Sequence, residues 1–187
     1  MDTQTRPIPA SSQTVGPFFR IGLHYMEECV AGEDVRTEGM ITISGKVLDR
    51  DGAPVADAML EFWSSGQRSD NDHTASTGNG IPEGFRRAGT DRDGAFRVVM
   101  KRPAMDRLED GRLQAPHMLV LVFSRGLLRH LISRVYFEGE PGNEQDPVLL
   151  GVPAERRHTL IARHGEENAY GWDVKLQGAD ETVFFAF

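Results

Sequence analysis

The chain has 187 residues, with 28 acidic and 21 basic side chains and a formal net charge of −7. Hydrophobic residues make up 39% of it, which is compatible with one domain, or two small ones, around a buried core. The acidic balance disfavours a general nucleic-acid or anionic-membrane binder, because such proteins rely on a positive field. The single cysteine, Cys29, excludes an intramolecular disulfide and CxxC-type zinc or redox sites, and we expect it to be a buried thiol.

The sequence carries no pattern of a membrane span or a secretory leader. Its longest apolar run, Met118–Phe123, is far shorter than the roughly 18 residues that cross a bilayer. The N-terminus has Asp2 and lacks the apolar stretch of a signal peptide. We therefore expect a cytoplasmic protein.

Residues 1–39 predict an irregular N-terminal arm. Within it, Thr14, Gly16 and Pro17 precede the paired aromatic residues Phe18 and Phe19. These aromatic rings are too apolar for a free tail, so we expect the segment to dock on a surface of this chain or of another.

From residue 40 onward the patterns are typical of an all-β protein. Met40–Trp63 contains two apolar runs separated by an Asp-Arg-Asp-Gly turn at 49–52, which predicts a hairpin. The same turn chemistry at 90–94 precedes Ala95–Met100, whose alternating apolar residues predict a second hairpin. Between them, Ser64–Gly84 is a polar stretch of a length usual for functional or mobile loops.

The C-terminal half predicts more strands and one short helix. Met118–Ser124 and His130–Phe137 are strand candidates joined by a turn that contains Gly126. Asp146 is a candidate N-cap for a short helix within Asp146–Arg163, which gives way to a strand near its end. Further strand predictions are the alternating segment Tyr170–Leu176 and the terminal Val183–Phe187. We predict a single domain over 1–187: an all-β sandwich at 40–187 preceded by the arm.

The chain resembles the intradiol aromatic-ring dioxygenases over almost its whole length. The resemblance rests on the order and spacing of eight fragments: Ser12–Phe18, Gly45–Asp49, Ala58–Trp63, Thr90–Phe96, Ala115–Leu119, Arg125–Leu131, Ser133–Phe137 and Glu181–Phe185. It implies a β-sandwich and an iron(III) held by two tyrosinates and two histidines, since hard phenolate oxygens together with imidazoles suit a trivalent metal. It also implies that a catechol binds this metal and is cleaved by dioxygen between its two hydroxyl-bearing carbons.

The iron-ligand pattern of this family is incomplete in the chain. His117 matches the first histidine of the family's His-x-His pair, but Leu119 stands at the second position. The two tyrosines should fall at about 64–89 and 101–115, and no tyrosine occurs between Tyr25 and Tyr136. The resemblance therefore implies a subunit with no metal ligand and no catalytic residue, paired with a homologous beta subunit that carries iron(III). We expect His117 to be a hydrogen-bonded structural residue.

The resemblance also implies four substrate-binding residues. Thr14, Gly16 and Pro17 would reach across the subunit interface and line the pocket of the iron-bearing partner, with Gly16 allowing close backbone approach. Arg134 lies on a predicted strand, where it could form an internal ion pair or hold a substrate carboxylate, for which a planar guanidinium is suited. We expect the carboxylate role, with Arg125 and Arg129 as alternatives.

Two other functions remain open at this point. Met40–Met100 alone also fits a non-enzymatic, transthyretin-like β-sandwich for binding or structure. Such a module has no need for Thr14–Phe18 or Ala115–Phe137. A self-sufficient dioxygenase with one type of chain is opposed by the missing tyrosines.

Overall fold

The computed structural model describes residues 11–23, 38–65 and 84–186. The strands are β1 (Met40–Leu48), β2 (Met59–Ser64), β3 (Phe85–Gly89), β4 (Ala95–Lys101), β5 (Asp106–Arg107), β6 (Leu113–Gln114), β7 (His117–Phe123), β8 (Leu131–Phe137), β9 (Ile161–His164), β10 (Ala169–Gly171) and β11 (Val174–Lys175). The helical elements are α1 (Pro17–Leu23), α2 (Pro147–Leu150) and two 3₁₀ segments, Pro141–Glu144 and Ala154–Leu160.

The larger strands form two halves of a sandwich that are joined through β9. In one half, β1 pairs antiparallel with β4 and parallel with β10 and β11. The other half has the order β3-β2-β7-β8, with antiparallel pairing throughout. The first part of β9 pairs with β8 and its second part with β10. The all-β sandwich predicted from the sequence is confirmed.

The core lies between the two halves and follows from the alternation along their strands. Ile43 of β1, Phe62 of β2 and Val120 of β7 are fully buried in the same cluster as Phe96 of β4. The rings of Phe62 and Phe96 meet across the sandwich with centroids 5.9 Å apart. Burial of each such side chain contributes roughly 1.5–3 kcal/mol to stability.

The two Asp-x-Asp-Gly segments form tight turns, but the predicted hairpins are wrong. β1 pairs with β4 and not with β2, while β3 pairs with β2 and not with β4. In each turn the first carboxylate, of Asp49 or Asp91, accepts hydrogen bonds from the backbone N–H groups two and four residues later. Both turns carry the chain from one half of the sandwich to the other. The sequence therefore predicted the two turns correctly, but the strands pair according to which of their faces are buried together.

The predicted hairpin of β7 and β8 is confirmed, since the two strands pair from His117↔Tyr136 to Val122↔Leu131. Gly126 in its turn has a φ of 89°, a conformation that favours glycine. The alternation at Tyr170–Leu176 is also present, but as two short strands, β10 and β11, that both pair with β1.

Three sequence expectations need correction. The arm is not wholly irregular, because α1 forms within it. The helix predicted from Asp146 ends at Leu150, and a 3₁₀ segment follows after Pro153. The C-terminal segment up to residue 186 is not a strand, although Phe185 N–H donates to the Ile132 carbonyl at 2.8 Å.

Cys29 and most of Ser64–Gly84 lie outside the described residues. In the part of the chain that the structure describes, no helix is long and apolar enough to cross a membrane.

Candidate functional site

A polar cluster lies on the outer face of the β7–β8 hairpin. Alternate residues of β7 and β8 point into the core, which leaves His117 and Leu119 on the other face, opposite Tyr136 and Arg134 respectively. The His117 and Tyr136 rings have centroids 5.5 Å apart. The cluster thus contains two residues singled out by the sequence, His117 and Arg134, and one that was not, Tyr136.

Asp146 holds this cluster to α2. Its Oδ1 accepts hydrogen bonds from the Val148 and Leu149 N–H groups at 2.9 and 2.8 Å, which confirms the predicted N-cap. The same oxygen accepts from the Tyr136 hydroxyl at 3.1 Å, and Oδ2 accepts from Ala115 N–H at 2.9 Å. A fully buried carboxylate is thereby satisfied by backbone and hydroxyl donors.

His117 is a buried residue with defined hydrogen bonds. Its Nδ1 lies 2.8 Å from the Ala115 carbonyl, so this nitrogen carries the proton in the neutral ring, and its backbone N–H donates to Ser65 Oγ at 3.1 Å. Burial, followed by the nearby charge of Arg134, lowers the pKa of His117 below its usual range. A neutral, hydrogen-bonded imidazole results.

The residues around His117 do not fit an iron(III) centre of the expected type. Leu119, its neighbour on the same face, has no donor atom, and the Tyr136 hydroxyl is already bonded to Asp146. Burial raises the pKa of Tyr136, which opposes the tyrosinate form. Among residues 11–23, 38–65 and 84–186, no group of three or more His, Cys, Asp or Glu side chains could hold a metal ion.

Arg134 is half-buried beside this cluster. Its Nη1 donates to the Tyr136 hydroxyl at 3.4 Å, and it forms no ion pair with the carboxylates that the structure describes. The two alternatives differ: Arg125 lies 3.3 Å from Asp57 and is exposed, and Arg129 is exposed at the hairpin turn. Arg134 is the one held on the strand face by a buried partner.

The arm docks on the other end of the same hairpin. Gly126 N–H donates to Thr14 Oγ1 at 2.8 Å, and the rings of Phe19 and Phe123 have centroids 5.4 Å apart. The described part of the arm therefore contacts its own chain through Thr14 and Phe19, while Phe18 is 79% exposed. Gly16 is exposed, and a Cβ atom there would have no neighbour within 4 Å.

A cavity of about 680 Å³ opens where the arm, the hairpin turn and the C-terminal segment meet. Its walls include Val15, Phe123, Leu128 and Phe184, with Arg129 contributing a positive charge. Thr14 is bonded to the turn end of the hairpin, whereas Arg134 lies further along β8, opposite Leu119. Thr14 and Arg134 are thus attached to the same hairpin, but within the described residues no hydrogen bond joins the arm to Arg134.

Sequence reasoning missed Tyr136 and the role of Asp146 beyond its helix cap. One signal was present, since Tyr136 stands two residues after Arg134 and so shares its strand face. The hydrogen bond between Tyr136 and Asp146 could not be predicted from the sequence, because it joins a strand residue to the cap of a separate helix.

Comparison with known proteins identifies the family. A family described as "Dioxygenase" matches residues 16–178, and related chains and structures are intradiol ring-cleaving enzymes. The chain belongs to the intradiol dioxygenase family. Because the match includes both the arm and the β7–β8 hairpin, a transthyretin-like module is not supported.

Two-chain enzymes of this family supply the most informative relatives. The chain is 39% identical to the alpha chain of protocatechuate 3,4-dioxygenase from Burkholderia cepacia, over 93% of this chain and 95% of that one. It is 32% identical to the alpha chain from Pseudomonas putida, over 94% and 95% of the two. The beta chain from Burkholderia cepacia is 26% identical, over 76% of this chain and 66% of its own length.

Solved structures support the fold. The dioxygenase domain of a carbohydrate-binding fusion protein from Streptomyces sp. SirexAA-E has a TM-score of 0.58 at 24% identity, covering 79% of this chain and 86% of that one. Catechol 1,2-dioxygenase from Pseudomonas arvilla C-1 has a TM-score of 0.58 at 20% identity, covering 82% and 57%. At these identities the likeness concerns the sandwich alone.

Proposed function

We propose that this chain is the metal-free alpha subunit of a cytoplasmic protocatechuate 3,4-dioxygenase, assembled with a homologous iron-bearing beta subunit in an alpha–beta hetero-oligomer. The observation that carries the proposal is made on β7. Two residues after His117, on the same strand face, the chain has Leu119 and not a second histidine. The similarity to alpha chains along nearly their whole length supports it. The single domain predicted over 1–187 belongs to the same proposal.

The proposed reaction cleaves protocatechuate with dioxygen to 3-carboxy-cis,cis-muconate, a step of aromatic catabolism in the beta-ketoadipate pathway. Iron(III) held by the partner subunit would activate the catechol ring. The present chain then serves to bind and orient the substrate and to shape the pocket wall. The surroundings of His117 support this division of roles, because its neighbours in residues 11–23, 38–65 and 84–186 do not form a metal ligand set.

Four residues of this chain are proposed to contact the substrate: Thr14, Gly16, Pro17 and Arg134. Anchoring of the arm by Thr14 supports the first three, because a fixed arm can present the Gly16 backbone at a constant position. Two properties support Arg134: its half-buried place on a rigid strand and its lack of an ion pair with any carboxylate in the described residues. A guanidinium that has no carboxylate partner among the described residues suits the planar carboxylate of protocatechuate.

Metal analysis of the two chains tests the assignment. The chain should be purified alone after expression with added iron, and in parallel as a complex with a coexpressed beta subunit. We expect substoichiometric iron in the isolated chain, and in the complex about one iron per alpha–beta pair together with a visible tyrosinate-to-iron absorption. The beta subunit alone, prepared in the same way, is the control for adventitious metal. One tightly bound, coloured iron per isolated alpha chain would refute the proposal.

A further inference from the structure

Three side chains connect α2 to the outer face of β8 through a series of hydrogen bonds. Asp146 Oδ1 accepts from the Tyr136 hydroxyl at 3.1 Å, and the Tyr136 hydroxyl accepts from Arg134 Nη1 at 3.4 Å. Asp146 and Tyr136 are fully buried, whereas Arg134 is half-buried. No arm residue among 11–23 takes part in this series.

The inner end of the series is fixed. Asp146 accepts three further hydrogen bonds, from the backbone N–H groups of Ala115, Val148 and Leu149, all between 2.8 and 2.9 Å. A carboxylate held from two sides in this way has little freedom to turn toward Arg134. The position of the Tyr136 hydroxyl is therefore set by a rigid acceptor.

The direction of the hydrogen bonds is determined as well. A carboxylate can only accept, so the single proton of the Tyr136 hydroxyl is donated to Asp146, and its lone pair faces the guanidinium. Burial raises the pKa of Tyr136, which keeps this proton in place. The hydroxyl thus separates Arg134 from Asp146 and takes the place of a direct ion pair.

Arg134 has more N–H donors than the one that it uses for Tyr136. Within residues 11–23, 38–65 and 84–186, its N–H groups have no hydrogen-bond acceptor besides Tyr136. Without the hydroxyl, the nearby negative charge of Asp146 would attract the guanidinium inward. Among the described residues the guanidinium is thus bonded to a neutral hydroxyl and forms no ion pair with a carboxylate.

We propose that Tyr136 is a positioning residue, which holds the guanidinium of Arg134 outward for the carboxylate of the substrate and keeps it out of a direct ion pair with Asp146. This inference rests on the proposed substrate role of Arg134. It assigns to Tyr136 an effect on substrate selection, in addition to its packing in the sheet.

The test compares Tyr136→Phe, Arg134→Ala and the double variant in the iron-loaded alpha–beta complex. For each complex, kcat/KM is measured for protocatechuate and for catechol, which lacks the carboxylate. The dissociation constants of both compounds are measured by calorimetry without dioxygen. We expect Arg134→Ala to lower the protocatechuate-to-catechol preference roughly 10–150-fold, the effect of losing a charge-assisted hydrogen bond. Tyr136→Phe should lower it roughly 3–10-fold, mainly through KM, and should add nothing in the Arg134→Ala background.

Tyr170→Phe is the matched control. Tyr170 is also buried, and its hydroxyl also accepts a hydrogen bond from an arginine, Arg102, but it lies on β10 in the other half of the sandwich. Its loss should change stability in a similar way and leave the substrate preference unchanged.

The possible results separate the two proposals. An effect of Arg134→Ala without one of Tyr136→Phe overturns the positioning role and leaves the substrate role of Arg134 intact. No change of preference in either variant overturns both. If Tyr136→Phe alone loses assembly or iron while Tyr170→Phe does not, the hydroxyl acts in the fold and the positioning role is rejected.

Discussion

At the scale of single residues, His117 is a buried side chain that packs and forms hydrogen bonds within the sheet. The His117 ring packs at a tilt against Tyr136, and its Nδ1 is bonded to the Ala115 carbonyl. The charged groups around it are Arg134, Asp146 and Asp106, of which the first lowers its pKa and the other two raise it, after the dominant lowering by burial. The folded protein therefore disfavours a charged His117.

This lowered pKa predicts a pH dependence of stability. Because the folded-state pKa lies below the ordinary value of 6.5, the unfolded chain takes up the proton first as the pH falls. The contribution of His117 to stability is fully present above about pH 6.5 and is lost as the pH drops from there toward the lowered pKa. Replacement by glutamine should remove this part of the acid sensitivity.

Urea unfolding of the complex from pH 7.5 to pH 5 checks this prediction. We expect the gap in stability between the wild type and His117→Gln to shrink as the pH falls. His158→Gln is the matched control, because that side chain is exposed. A gap that stays constant, or widens in acid, would contradict the assigned environment of His117.

At the scale of elements, the positions of strands and turns could be predicted from the sequence, but the pairing of the strands could not. The alternation at Ala95–Met100 and the Asp-Gly turns are local properties, and the structure has both. The pairing of β1 with β4 depends on which faces are buried together, and no local pattern carries that information. The helix α1 was missed because a short helix gains its stability from contacts such as Phe19 with Phe123.

The sequence also did not predict that the backbone of β1 approaches the link between β10 and β11 closely. A Cβ atom on Gly45 of β1 would lie 1.8 Å from the Trp172 carbonyl oxygen, in the link between β10 and β11. Trp172 N–H donates to the Ser44 carbonyl at 2.9 Å, and Lys46 N–H donates to Asp173 Oδ1 at 2.8 Å. The parallel pairing of β1 therefore requires a residue without a side chain at position 45.

We expect Gly45→Ala to destabilise the fold by more than about 3 kcal/mol, since the clash is with backbone and not with a flexible side chain. Gly171→Ala on β10 is the matched control, because a Cβ atom there has no neighbour within 4 Å. That substitution should change the free energy of unfolding by less than about 0.5 kcal/mol. Thermal and urea unfolding of both variants measure the difference, and equal stabilities would show that the β1–β10 contact is looser than described.

At the scale of the whole molecule, the resemblance predicted the family and the sandwich, because ordered motifs along the chain record a common fold. The site was predicted only in part. Arg134 and the arm could be named from motifs, but their surroundings come from contacts between distant segments, such as Thr14 with Gly126. The surface that contacts the partner subunit can be inferred from the structure, since apolar side chains that the chain leaves exposed indicate where a partner binds.

Helix α1 carries the clearest of these exposed groups. Phe18 is 79% and Ile21 65% exposed, whereas Phe19 on the same helix packs on Phe123. Interfaces of obligate complexes are large and hydrophobic, and burial of a Phe or Ile side chain contributes roughly 1.5–3 kcal/mol. We therefore expect the beta subunit to cover Phe18 and Ile21. The double variant Phe18→Ser and Ile21→Ser should then weaken alpha–beta association by about 3–6 kcal/mol, which corresponds to at least a roughly 100-fold higher Kd.

Sedimentation velocity over a dilution series of the alpha–beta complex measures this Kd. The control is Leu150→Ser, which removes an exposed leucine (48%) from α2, an element remote in sequence from the arm. Its effect on association should be small if the arm is the contact. Wild-type affinity of the double variant would place the interface elsewhere. Because Thr14, Gly16 and Pro17 immediately precede these two residues, it would also remove the argument that the arm reaches the partner's substrate pocket. Weakened association with unchanged kcat/KM in the complex that remains would instead separate docking of the arm from its role at the substrate.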